Sequence, residues 1–357
     1  MVIKKANLVG VLFGLSFSLQ AASPYDAIYQ STPALMAKDM AIIVNDADPL
    51  SVKIAKYYQQ KRGINDSQVI HLNFTLPKNN TLSEQQFKSL KAQVDAQTPK
   101  HIQAYALAWT LPFRVGCMSI TSAFAMGFDK AYCARGCKPT KASPYFNSSS
   151  VKPFDDYKIR PTMALAGKTF ADVKALIDRG VASDYSLPVG TAYLVSTSDK
   201  ARNARAPSFP KAVARFRGAW KTKIIQKDYI ENKDDVMFYF TGLTHVPKIT
   251  SNHYINGAVA DHLTSVGGVL SGSGQMNSLD WLTAGATGSY GTVVEPCAFP
   301  QKFPHPQALM YAYLTGSSLI EAYWKSVLWP GQGIFIGEPL AKPFAFPQSI
   351  FTTQPNK

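Results

Sequence analysis

Charge is scarce in this chain, and acid is scarcer than base. Only 17% of its 357 residues are charged, 23 of them acidic against 37 basic. With 46% hydrophobic and 12% aromatic residues, the composition is that of a chain able to bury a sizeable core and not of a disordered tail. Proline and glycine, 23 each, are too few for a collagen-like or low-complexity protein. Missing too are a Walker loop, a Rossmann glycine fingerprint, a His-Glu-x-x-His helix and a calcium loop. Their absence disfavours nucleotide hydrolysis and cofactor-dependent redox chemistry, and no cofactor or metal is expected. The formal charge is +14, yet no binding motif accompanies it, so nucleic acid is not an expected partner.

Long hydrophobic runs are absent apart from one at the N-terminus. Lys4 and Lys5 precede an uncharged apolar stretch from Ala6 to Leu19, and Ala21-Ala22 offers small residues for cleavage before Ser23-Pro24. This order reads as a secretory signal over residues 1–21, since the stretch is too short for a comfortable membrane span. The competing reading is an uncleaved anchor. No Cys stands at the cleavage point to carry lipid, and no later run is long enough to span. The expectation is a periplasmic or extracellular protein, a single domain over residues 22–357, without a transmembrane segment after cleavage.

The four cysteines, Cys117, Cys133, Cys137 and Cys297, suit an oxidising compartment, where an even number reads as two disulfides. A Cys133–Cys137 bridge would close a very small loop, so one of these two is expected to join Cys117 and the other Cys297. The Cys-x3-Cys spacing also suits zinc, but no His lies close by to complete such a site.

Along the chain, short β-type runs alternate with helical patterns. Met40–Val44 is a strand; Asp48-Pro49 starts a helix that stops at Gly63; residues 69–74 form a second strand. Ser83 with Gln86 caps the next helix, and residues 102–109 form a third strand. From Thr110 to Arg160 the pattern dissolves, and three of the cysteines fall there; this is read as an insertion stapled by disulfides. Thr169 with Asp172 then caps a helix running to Gly180. Strands at 191–196, 236–241 and 289–294 follow, with helices at 207–220, 306–314 and 318–328. The pattern implies an α/β three-layer sandwich with a mostly parallel sheet.

Several residues could carry chemistry. The densest polar cluster runs from Asp261 to Asp280 and holds Asp261-His262, Ser265, Gly267-Gly268 and Ser271-Gly-Ser-Gly-Gln275. These are hydrolase residue types, since a His lifts the proton of a hydroxyl and a carboxylate orients that His. Asp261 and His262 are adjacent, however, and neighbours on a regular element point apart, so a structural role for His262 is the simpler reading. No Gly-x-Ser-x-Gly elbow is present. His245 follows the strand at 236–241, and ligands gather beyond the carboxyl ends of parallel strands. Cys297, with Glu295 beside it, also follows a strand; paired with a His it would suffice for thiol hydrolysis if it were reduced. Asp199, Arg202 and Arg205 form a polar loop able to hold a carboxylate or phosphate. From Lys200 to Lys227 there are nine basic residues and no acid, a stretch suited to an anionic envelope polymer or to a solvated helix face.

Four sets of segments carry a resemblance. They are Ile42-Ile-Val-Asn45 with Tyr57-Tyr58 and Lys61-Arg-Gly-Ile64, then Ala258-Val-Ala-Asp-His-Leu-Thr-Ser265, Gly285-Ala-Thr-Gly-Ser-Tyr-Gly-Thr292 and Gly337-Glu-Pro-Leu340. Together they resemble a family of exported, uncharacterised bacterial proteins over nearly all of the mature chain. More distantly, their order is similar to the catalytic domain of gingipain-type cysteine peptidases, which implies a caspase-like fold. In those peptidases one strand ends in His-Gly and the next in the nucleophilic Cys. Here Thr241-Gly242 stands at the first position, and no Cys falls between Asp261 and Gly268. The resemblance therefore implies the fold without the dyad. The expected function is a binding or envelope-associated protein taking a small molecule, a peptide or an anionic polymer. The alternative is a divergent cysteine or serine hydrolase.

Overall fold

The computed structural model describes residues 34–134 and 136–346, so the secretory signal read over residues 1–21 lies outside the described residues. The first half is built as the sequence implies. Strand β1 (Met40–Asn45) leads into α1 (Pro49–Arg62), where the Asp48 carboxylate accepts the Leu50 N–H and Pro49 occupies the first turn. Gly63 ends α1 in the left-handed region, at φ +61°, a conformation that glycine adopts without steric cost. Next come β2 (Val69–Leu72), the short β3 (Thr81–Leu82), α2 (Glu84–Gln97) behind its Ser83–Gln86 capping box, and β4 (Ala104–Leu107).

The segment from Thr110 to Arg160 is more regular than its sequence suggests. Two-residue strands β5 (Arg114–Val115) and β6 (Met118–Ser119) pair with each other, and β3 joins β5 in a small sheet. Helix α3 (Ile120–Met126) follows, then α4 (Pro153–Tyr157). Residues 120 to 125 of α3 are all buried, so the helix has no polar face and leaves no amphipathic period in the sequence.

Then come β7 (Thr162–Ala164), α5 (Phe170–Ser183), β8 (Thr191–Ser196), α6 (Phe209–Phe216), β9 (Thr222–Gln226) and β10 (Val236–Thr241). The chain continues through β11 (Tyr254–His262), α7 (Ser278–Ala284), β12 (Gly288–Thr292), α8 (Pro306–Leu314), α9 (Leu319–Trp324) and β13 (Gly333–Gly337).

Ten of these strands form one sheet in the order β2-β1-β4-β7-β13-β12-β11-β10-β8-β9. Every neighbouring pair is parallel except β12 and β13, which run antiparallel from Gly288↔Gly337 to Thr292↔Gly333. That seam divides the sheet into two parallel halves pointing in opposite directions. Alternation along β1 sends Met40, Ile42 and Val44 to one face, with α1, α5, α6, α8 and α9, and Ala41 and Ile43 to the other, with α2, α3 and α7. The protein is thus an α/β three-layer sandwich with a mostly parallel sheet. No helix among the described residues is long and apolar enough to cross a membrane.

Both disulfides form, Cys117–Cys133 and Cys137–Cys297. The first closes a short loop within the insertion; the second ties the insertion to the turn after β12, 160 residues away.

Candidate functional site

In the second half of the sheet the order β12-β11-β10-β8-β9 reverses direction between β8 and β10, because the chain goes from β8 out to β9 and returns to β10. Such a switch point leaves a crevice beyond the strand ends. A cavity of about 470 Å³ lies beside it, lined by Arg202 from the loop after β8, Leu263 to Ser265 after β11, and Glu295 to Ala298 after β12. The Cys137–Cys297 disulfide forms part of its wall. Close backbone packing brings these loops together. A Cβ on Gly291 would lie 2.5 Å from the Gly268 nitrogen, so glycine there lets the loop after β11 lie directly on β12.

Arg202 is held on two sides. Its Nε donates to Thr264 Oγ1 at 3.1 Å and its Nη1 to Asp199 Oδ2 at 2.9 Å. Burial alone would raise the Asp199 carboxyl, but hydrogen bonds and charge from Arg202 outweigh it and hold the group below the usual carboxylate range. The remaining nitrogen, Nη2, donates to no protein group among the described residues. Thr264 passes its own proton to Gln275 Oε1 at 2.8 Å, which fixes the lip of the cavity. Opposite, Glu295 Oε1 accepts the Cys297 N–H at 2.7 Å across a turn in which Cys297 and Ala298 both adopt positive φ, +59° and +48°.

The structure therefore brings together Arg202, Ser265, Glu295 and Cys297, with Asp199 reaching the site through Arg202. Two features bear on catalysis. Cys297 is bridged, so it has no thiol to ionise, and no His lines the cavity to deprotonate Ser265.

The remaining candidates lie elsewhere. Arg205 and Asp261 form a buried pair, with Nη1 2.6 Å from Oδ1 and side chains 3% and 1% exposed. Arg205 also donates to the carbonyls of Thr241 at 2.7 Å and Pro304 at 3.2 Å, so it closes the sheet end from inside and does not face a ligand. Burial pushes the Asp261 carboxyl up to about 6, and Arg205 only partly offsets it. His262 points to the opposite face. The Trp281 indole donates to its Nδ1 at 2.8 Å, and its Nε2 donates to the Met276 carbonyl at 3.1 Å, so both ring nitrogens are engaged. Burial lowers it to about 4, leaving a neutral core histidine, the simpler of the two roles read from sequence. His245 is exposed on the loop after β10, outside the cavity.

Sequence reading missed the apolar lining, Leu263, Pro296 and Ala298. The signal for them is their position just beyond strand ends, and β11 is not legible as a strand because its sequence reads as a polar cluster.

No family model and no curated protein sequence matches this chain. Among solved structures it is similar to the complex of Porphyromonas gingivalis RgpB pro- and mature domains, at 10% identity and a TM-score of 0.47, over 85% of this chain and 79% of that one.

Proposed function

We propose that this is an exported binding protein, not a peptidase, and that its ligand is a small carboxylate seated in the cavity of Arg202. One observation carries the reading. The cavity at the strand ends offers a fixed guanidinium with one nitrogen unspent, whereas both cysteines of its lining are locked in one disulfide. A carboxylate on Nη2 with an apolar body against Leu263, Pro296 and Ala298 fits the mixed lining. Glu295 limits the choice, because its carboxylate repels a second negative charge on the ligand. Two disulfides and the signal-like residues 1–21 support export to an oxidising compartment.

Isothermal titration with N-acetyl-leucine tests this. Binding should weaken at least tenfold in Arg202→Met, and quenched fluorogenic peptides should remain intact. Turnover of such peptides that is lost in Ser265→Ala would replace this reading with a serine hydrolase.

A further inference from the structure

The antiparallel seam gives this sheet two carboxyl edges at opposite ends, and the first half has its own switch point. There the order β2-β1-β4 reverses between β1 and β4. A second cavity of about 560 Å³ opens at that point, lined by residues following β1, β2, β4 and β7. Its volume lies within the range of small-molecule sites. We propose that it binds a short apolar peptide with free termini, of two or three residues.

The apolar part is a cluster of Leu50, Phe74, Leu76, Leu111, Leu270 and Leu279. Leu76 remains 43% exposed at this cavity, an apolar surface that an occupant would cover. The Asn45 and Thr110 side chains of the lining are already engaged by the protein itself. Asn45 Nδ2 donates to the Phe74 carbonyl at 3.0 Å, and its Oδ1 accepts from the N–H groups of Ala47 and Phe74 at 3.2 and 3.1 Å. Thr110 Oγ1 donates to the Gly167 carbonyl at 2.8 Å and accepts the Gly167 N–H at 3.0 Å.

Two opposite charges remain to orient a ligand. Asp48 caps α1 through Oδ1, at 2.9 Å from the Leu50 nitrogen, while its Oδ2 has no partner among the described residues. Its charge offsets the positive helix end, so this side of the cavity suits an ammonium and not an anion. Lys168 reaches Asp280 Oδ1 at 3.0 Å with one of its three protons and keeps two for a carboxylate. An apolar lining between a carboxylate and an ammonium complements a peptide that is charged at both ends and apolar between them. The cavity is roomier than one amino acid requires.

The test is isothermal titration of the full chain with trileucine, carried out in the Arg202→Met background so that the first cavity does not contribute. N-acetylation of the peptide should weaken binding at least tenfold in that protein and have little further effect once Asp48→Asn is added, a change that keeps the cap hydrogen bond and removes the charge. Amidation of the carboxyl end should behave in the same way with Lys168→Met. Absence of binding at millimolar trileucine overturns the proposal. So does equal binding of the free and blocked peptides, or an affinity indifferent to both substitutions.

Discussion

Arg62, at the end of α1, donates from Nε and Nη2 to both carboxylate oxygens of Glu338, which follows the seam strand β13 and is 0% exposed. The two residues are 276 positions apart in the chain. Nη1 of the same guanidinium reaches Asp184 Oδ2 at 2.5 Å, so one cation ties α1, the end of α5 and β13 together.

Breaking a buried bidentate pair from one side leaves the other charge stranded, at a cost of about 3–5 kcal/mol. Glu338→Gln should lower the unfolding free energy read from a urea titration by that much, and Arg62→Met should do the same. An unchanged unfolding free energy in either variant would show that the network does not hold α1, α5 and β13 together.

Gly242 follows β10, and its neighbour in space is the loop carrying Arg202. A Cβ there would lie 1.9 Å from the Arg202 carbonyl oxygen, and backbone cannot give way as a flexible side chain can. Gly242→Ala is expected to cost about 1–3 kcal/mol, as overpacking does, and to weaken carboxylate binding along with Arg202→Met. Titration of the variant at a temperature where it stays folded checks this.

The two disulfides should differ in weight. In the chain-entropy picture the bridge spanning 160 residues is worth about 5 kcal/mol, against about 3 kcal/mol for the 16-residue one. Replacing Cys137 and Cys297 together by Ala should therefore lower stability more than replacing Cys117 and Cys133. It should also loosen the cavity, whose wall contains the longer bridge. Equal losses would mean that strain or residual structure in the unfolded chain dominates over loop closure.

Acid should act on Asp261 and His262 in opposite directions. His262 titrates near 4 when folded, against 6.5 in the unfolded chain, so below 6.5 the unfolded state binds more protons and stability falls as pH drops towards 4. That shift is worth about 3 kcal/mol. Asp261 titrates near 6 when folded, against 3.8, so between these values the folded state binds more protons and gains stability as pH falls. The two contributions nearly cancel between about pH 6 and 4. Asp261→Asn removes one of them, and its urea midpoint, relative to its own value at pH 8, should fall more steeply on acidification than that of the unaltered protein. Parallel curves would contradict the opposed shifts.

Local signals were legible wherever a helix or strand carries its own period or cap. Asp48-Pro49, Ser83 with Gln86 and Thr169 with Asp172 start helices as read, and the alternation of β1 is split between the two faces of the sheet. The disulfide pairing was narrowed correctly by loop length. What escaped was buried on every side. Strand β11 contains Asn256, Gly257, Asp261 and His262 and reads as a polar cluster; it is nonetheless flanked by strands on both sides, with Asp261 ion-paired to Arg205 and the His262 ring engaged by Trp281 and the Met276 carbonyl. Strand β9 was hidden in the basic stretch, where its place at the sheet edge leaves Lys223 exposed.

The candidate site divides along the same line. Sequence alone determined the α/β layering and the residue types near strand ends, since each depends only on neighbours in the chain. Which of those residues meet was decided by tertiary structure. Arg202 and Arg205 stand three positions apart, yet one faces the cavity and the other is buried against Asp261. Cys297, just beyond β12, joins Cys137 across 160 residues of sequence and forms a wall of the cavity. Long-range pairing of this kind follows from packing the whole sheet, and no local pattern encodes it.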